Sequence, residues 1–258
     1  MNFVTKSSFS RLYSMQTRSV CKAFLFVLIA FFASCGDDSQ DVTLNFALNY
    51  GGEPLVMLDE YDYPSGESIK FTRVSFYISD LRANTVSNNS VLLEDIDLIN
   101  LSTSHSTREG AEEGFSFTVN DAVAEDVESY SFLLGVNPEL NSSVPADFSS
   151  GHPLANSGEY WIAWDSFIFF KIEGILDTDN DGDFETNIAL HVGSDAASRE
   201  ISFRSSDSSN ESIDIDVRSI FESDGTVYNI QENPQIHSLF QLDKANFLIQ
   251  NLAKQIDN

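Results

Sequence analysis

Four histidines, two tryptophans and a run of alternating aspartates are the side chains of this 258-residue chain best suited to chemistry. His152, Trp161, Trp164 and His191 fall in one stretch, which reads HPLANSGEYWIAWDSFIFFKIEGILDTDNDGDFETNIALHVG and ends at Gly193. His105 and His237 lie outside it. Imidazole is a borderline-soft ligand, and copper tops the divalent affinity order. No thiolate competes for such an ion further along the chain, because both cysteines, Cys21 and Cys35, lie near the N-terminus. His191 is the first candidate ligand, with His237 and His152 behind it. The alternative for His191 is a core histidine bonded to a backbone carbonyl. His105, in Ser-Thr-Ser-His-Ser-Thr, is expected to be a solvated loop residue.

The aspartates carry a different chemistry. Asp177, Asp179 and Asp181 alternate and Gly182 follows, as in the first half of an EF-hand loop, and hard carboxylate oxygens at that spacing can converge on Ca²⁺. The twelfth position is Ile188 rather than glutamate, so Asp183 or Glu185 would have to complete the shell. Calcium there would brace the hairpin that carries His191. The other reading is an acidic hairpin turn built on Asn-Asp-Gly. Catalysis finds no support: G-x-S-x-G, H-E-x-x-H, the P-loop and C-x-x-C are all absent. Asp165 and Glu173 share a strand parity, but eight residues at about 3.3 Å each hold them roughly 26 Å apart. A glycosidase pair needs about 5–9.5 Å. The chain reads as a non-enzyme.

Strands must position these groups. Tyr160, Ile162, Trp164, Ile168, Phe170 and Ile172 share one parity, and Trp161, Ala163, Phe167 and Phe169 the other. A strand from Tyr160 to Ile175 with two apolar faces belongs at the centre of a sheet. The return strand, Asn187 to Val192, turns Ile188, Leu190 and Val192 one way and Ala189 and His191 the other. Further alternating segments are Val42–Leu48, Ile69–Phe71, Val74–Ile78, Val91–Leu101, Phe115–Val119, Tyr130–Val136, Ile201–Phe203 and Ile213–Val217. The parity shift between Phe71 and Val74 marks a bulge. Many short strands separated by Ser, Asn, Gly and Pro predict an all-β chain, one antiparallel β-sandwich of Ig-like or Greek-key type over residues 42–258. Only Asp243–Lys254 has helical spacing, through Leu242, Ala245, Leu248, Ile249 and Leu252.

Residues 1–34 read as targeting. Lys6, Arg11, Arg18 and Lys22 precede an apolar run from Ala23 to Ala33, the pattern of a signal peptide. The run is shorter than the ~20 residues a spanning helix needs. Phe-Ala-Ser-Cys35 is a relaxed lipobox, so Cys35 is the expected lipidation site, residues 35–41 the tether, and the protein a bacterial outer-membrane lipoprotein facing the periplasm or the cell surface. The lipid would be its only membrane contact. Four of the 14 basic residues and none of the 40 acidic ones precede Cys35, leaving ten against 40. That surface excludes nucleic acid as a partner, since phosphates need cations, and favours solubility and cationic partners.

Several segments together resemble a known family. Tyr-Trp-Ile-Ala-Trp164, Ser166-Phe167, Phe169, Lys171, Glu173-Gly174 and His191-Val-Gly193 are similar to the MbnP-like proteins. So are Leu44-Asn-Phe46, Gly52-Glu-Pro-Leu55, Phe71 to Leu81, Leu134-Gly-Val136 and His237-Ser238. The resemblance covers most of Val42 to Leu252. It departs at the second tryptophan, where the family shows W-x-W-x-S-G-Y and this chain has Trp164-Asp-Ser-Phe167. It implies a secreted or lipid-anchored β-sandwich that holds or delivers copper, paired with a di-haem MauG-type peroxidase. It also implies oxidation of a tryptophan near the metal by that partner, with Trp161 matching the first motif position and Trp164 a displaced second. The other function the chain could serve is a calcium-braced surface interaction or adhesion module whose histidines are structural.

Overall fold

The computed structural model describes residues 39–257 apart from Ala124 and Ser208; the expected signal peptide and the lipidation site Cys35 lie outside the described residues. Strand β1 (Gln40–Tyr50) turns at Gly51-Gly52 into β2 (Glu53–Pro54), and β3 (Glu60–Asp62) leads to the long β4 (Ser68–Thr85). β5 (Ser90–Asn100), helix α1 (Arg108–Glu113), β6 (Phe115–Val123), β7 (Val127–Leu134) and the single turn α2 (Pro138–Asn141) come next. β8 (Tyr160–Trp161), β9 (Ser166–Asp177) and β10 (Thr186–Gly193) follow. The chain continues through β11 (Arg199–Arg204), β12 (Asn210–Asp216), α3 (Val217–Phe221) and the ribbon of β13 (Glu222–Ser223) and β14 (Thr226–Val227). β15 (Gln235–Ile236) and α4 (Leu242–Ile256) close it.

The all-β sandwich is as expected. Its larger sheet runs β11-β7-β4-β9-β10-β15, and the smaller is built on β1, flanked by β12 on one side and β2 and β6 on the other. β4 organises the larger sheet: one edge pairs with β9 and then β7, the other with β3 and then β5. The predicted bulge is present as a register shift between Phe71 and Arg73. Two ladders are parallel, β1 with β12 and β10 with β15, and the others are antiparallel. Sequence-distant pairings of this kind leave no local signal.

Alternation along β1 sends Val42, Leu44, Phe46 and Leu48 into the core between the sheets. Phe46 meets Phe76 of β4 edge-on, with centroids 5.6 Å apart and planes at 76°. Such a pair adds about 0.5–1.5 kcal/mol beyond the area it buries. Helix α4, three residues longer than its apolar spacing predicts, lays Leu248, Ile249 and Leu252 inward and packs on β10, β11 and β12, so it bridges both sheets.

Two expectations fail here. Tyr160 to Ile175 is not one strand. Trp164 N–H donates to the Trp161 carbonyl and Asp165 N–H to that of Ile162, making a tight turn with Asp165 at φ 53°. Tyr160 Oη donates to the Asp165 carboxylate at 2.7 Å and ties the turn shut. Nor is His105 solvated: it is wholly buried, its Nε2 accepting the Leu48 N–H at 2.8 Å and its Nδ1 donating to the Leu101 carbonyl at 3.0 Å. Burial pushes its pKa below the ordinary histidine value, against the Leu101 bond that raises it.

Candidate metal centre

Three of the sequence-predicted residues meet at one edge of the larger sheet. The hairpin of β9 and β10 sets Lys171 opposite His191 and Glu173 opposite Ala189. The parallel pair of β10 and β15 then sets Ile236 beside Leu190, and His237, just past the end of β15, meets His191 of β10. The two imidazoles lie 5.1 Å apart between centroids. Wholly buried Ile236 anchors the segment. Gln241 braces it, accepting from His237 N–H at 3.1 Å and donating to the Gln235 carbonyl at 2.8 Å.

Trp161 covers the pair. Its indole stacks on His237 at 4.6 Å and 12°, and meets His191 edge-on at 6.1 Å. β8 holds it there by pairing Trp161 with Ser166 of β9. A second anchor is Glu159, one residue before β8 and 1% exposed. Its carboxylate accepts from Arg73 Nη2 and forms an ion pair with Lys171 Nζ at 3.0 Å. Lys171 also donates to the Gly158 carbonyl at 2.6 Å.

His191 Nε2 lies 2.7 Å from Glu173 Oε1. The hydrogen bond from His191 outweighs burial and holds the Glu173 carboxyl below the usual carboxylate range, with His191, Lys171 and Arg73 charges adding to it. An ionised carboxylate only accepts, so the proton is on Nε2. His191 Nδ1 is buried with no partner, as is Trp161 Nε1. Burial first, and His191 second, push His237 below the ordinary histidine value, which favours its neutral, ligating form. An orphaned imidazole nitrogen beside a second imidazole is the donor chemistry copper takes, and the site fits it.

The remaining candidates lie elsewhere. His152 stacks on Phe148 at 4.4 Å, and its Nδ1 accepts the Leu154 N–H at 3.1 Å; no ring contact or hydrogen bond links it to His191 or His237. Trp164 is buried against Gly193, where an added Cβ would sit 2.6 Å from the indole. The Asp177, Asp179 and Asp181 carboxylates do converge, with ligand atoms within 4.8 Å of one another. Burial raises the Asp177 carboxyl, but backbone N–H groups of Gly182, Asn180, Asp179 and Asp181 more than offset it and keep the carboxyl below its usual range. Asp183 and Glu185 do not complete this shell. Asp183 supplies its N–H to Asp181, and Glu185 accepts from Thr178 Oγ1 and N–H. Glu173 and Glu159 are the residues sequence reasoning missed. The hairpin register would have disclosed Glu173, because it places that residue diagonal to His191 on one face.

Comparison with known proteins adds three findings. A sequence profile described as MbnP matches residues 39–238. Among solved structures, MbnP from Methylosinus trichosporium is similar at 13% identity and a TM-score of 0.49, over 73% of this chain and 79% of that one. No curated protein matches.

Proposed function

Because the chain belongs to the MbnP family, we propose that it is a copper-binding protein in which His191 and His237 hold the metal beneath the Trp161 ring. Family membership supports a copper-related role. The observation that carries the assignment is the buried, unpartnered His191 Nδ1 beside the His237 imidazole. Bound copper would supply a one-electron couple next to an indole. The chain's own residues would do the rest: the imidazoles ligate, Trp161 shields one face, and Glu159 keeps Trp161 in place. We read the protein as a holder or carrier of copper outside the cytoplasm rather than an enzyme, anchored by lipid on Cys35 in the outer membrane. We read its partner as a di-haem peroxidase, with Trp161 rather than Trp164 as the ring it would oxidise. Exposed Ile162, Leu239 and Phe240, close in sequence to the stacked Trp161 and His237, support a docking face there.

The converging carboxylates of Asp177, Asp179 and Asp181 favour a second, bracing ion, Ca²⁺, in the turn between β9 and β10. If the histidines proved structural, that ion would be the basis of a surface interaction module.

The test is a copper titration in competition with a Cu(I) chelator. One tight equivalent should be present in the wild type and in His152→Ala, and lost in His191→Ala and in His237→Ala. Folded wild-type protein that binds no copper, or His variants that bind it as tightly, would sink the assignment and leave the calcium-braced module.

A further inference from the structure

We infer that Glu173 is a positioning residue that keeps the His191 proton on Nε2 and so presents Nδ1 as the nitrogen that meets copper. The inference rests on the copper reading above. Glu173 is itself not placed as a ligand. Among the described residues, Asp177, Asp179 and Asp181 form the only trio of His, Cys, Asp or Glu whose ligand atoms lie within 4.8 Å of one another. No Glu173 oxygen therefore closes a three-donor set with the two imidazoles. Instead it sits 2.7 Å from the nitrogen on the far side of the His191 ring from Nδ1. A carboxylate there can only accept. Were His191 in the other tautomer, a buried N–H would stand at Nδ1 without an acceptor.

The surrounding charges explain why Glu173 serves His191 and not a cation. Arg73 is its register partner on β4, and Lys171 precedes it by two residues on the same face of β9. Both cations are drawn off by Glu159, Arg73 with help from Ser75 Oγ and Lys171 from the Gly158 carbonyl. Glu173 is thereby left to the imidazole diagonal to it across the hairpin. An imidazole that donates its second N–H to a carboxylate is fixed in orientation and made a stronger donor at the first nitrogen, and losing such a partner costs about 10–100-fold in metal affinity.

Long-range ¹H–¹⁵N spectra of metal-free wild-type protein read the His191 tautomer directly. The expected result is a protonated Nε2 and a bare Nδ1; a dominant Nδ1–H form overturns the inference with no variant made. Glu173→Leu should mix the tautomers and weaken copper about 10–100-fold in chelator competition. Glu173→Gln, whose carbonyl oxygen still accepts from Nε2–H, should keep the tautomer and lose less than about tenfold. Wild-type copper affinity in folded Glu173→Leu overturns the role of Glu173 while the copper reading stands. The reverse separation is equally clear: Nε2–H in a wild type that binds no copper ends the copper reading and leaves Glu173 as the residue that sets the tautomer. If Glu173→Leu does not fold, the wild-type spectrum and Glu173→Gln decide.

Discussion

Replacing Glu159 with glutamine removes one negative charge from between Lys171 and Arg73 and changes almost nothing else in size. Lys171 has a side chain only 5% exposed, whereas that of Arg73 is 24% exposed and reaches water. At the 3.0 Å separation of the Lys171 pair, the Coulomb attraction is roughly 5 kcal/mol at an effective dielectric of ~20. Removing one partner of a buried pair leaves the other charge uncompensated, which costs about 3–5 kcal/mol. The variant should therefore lose about 3–5 kcal/mol in urea denaturation followed by circular dichroism at neutral pH. The double variant Glu159→Leu with Lys171→Met removes both charges and should fall within about 2 kcal/mol of wild type, because apolar replacement of a buried pair is often neutral. A single variant that costs under about 1 kcal/mol, or a double variant as unstable as the single, would refute the view that a buried charge network carries Trp161.

Three further outcomes are expected. His105 has a lowered folded pKa, so below about pH 6.5 the unfolded chain binds the extra proton, and this contribution to stability is complete above that pH and lost as pH falls, by up to about 1.4 kcal/mol per unit. His105→Asn should flatten the slope of urea stability between pH 7.5 and 5.5, and an unchanged slope would contradict the assignment. Calcium at about 100 times its Kd should stabilise by about 2.7 kcal/mol, near 5–10 °C in Tm for a domain this size. Asp177→Asn should abolish that gain, and no shift in the wild type at millimolar Ca²⁺ would remove calcium from the turn. Gly193→Ala drives a Cβ to 2.6 Å from Trp164 and 2.7 Å from the Phe167 carbonyl, and should cost about 1–3 kcal/mol with a shift in tryptophan emission.

The sequence carried the two imidazoles and the indole further than the residues that support them. His191 was legible because alternation put it on the face opposite Ile188, Leu190 and Val192, and the family resemblance brought His237 and Trp161 to notice. The failures have two causes: a local turn that alternation hides, and contacts formed between segments far apart in the chain. Alternation through Tyr160–Ile175 was real but could not reveal that Asp165 adopts a left-handed turn closed by Tyr160. The polar run around His105 gave no sign that its imidazole pins the N–H of Leu48, 57 residues away. The β1–β12 and β10–β15 ladders join distant segments in parallel, and only tertiary packing selects them.

The β10–β15 ladder also sets an order of events. It seals two strands together, and the second imidazole arrives with residues 235–237, after every other strand of the two sheets has been made. A chain still emerging has His191 but no companion for it, so only half of the imidazole pair exists until residues 235–237 follow. The pair is complete only once that last segment has docked. Any ligand that needs both imidazoles would bind only the closed state and so fasten the seam that the final stretch of chain completes.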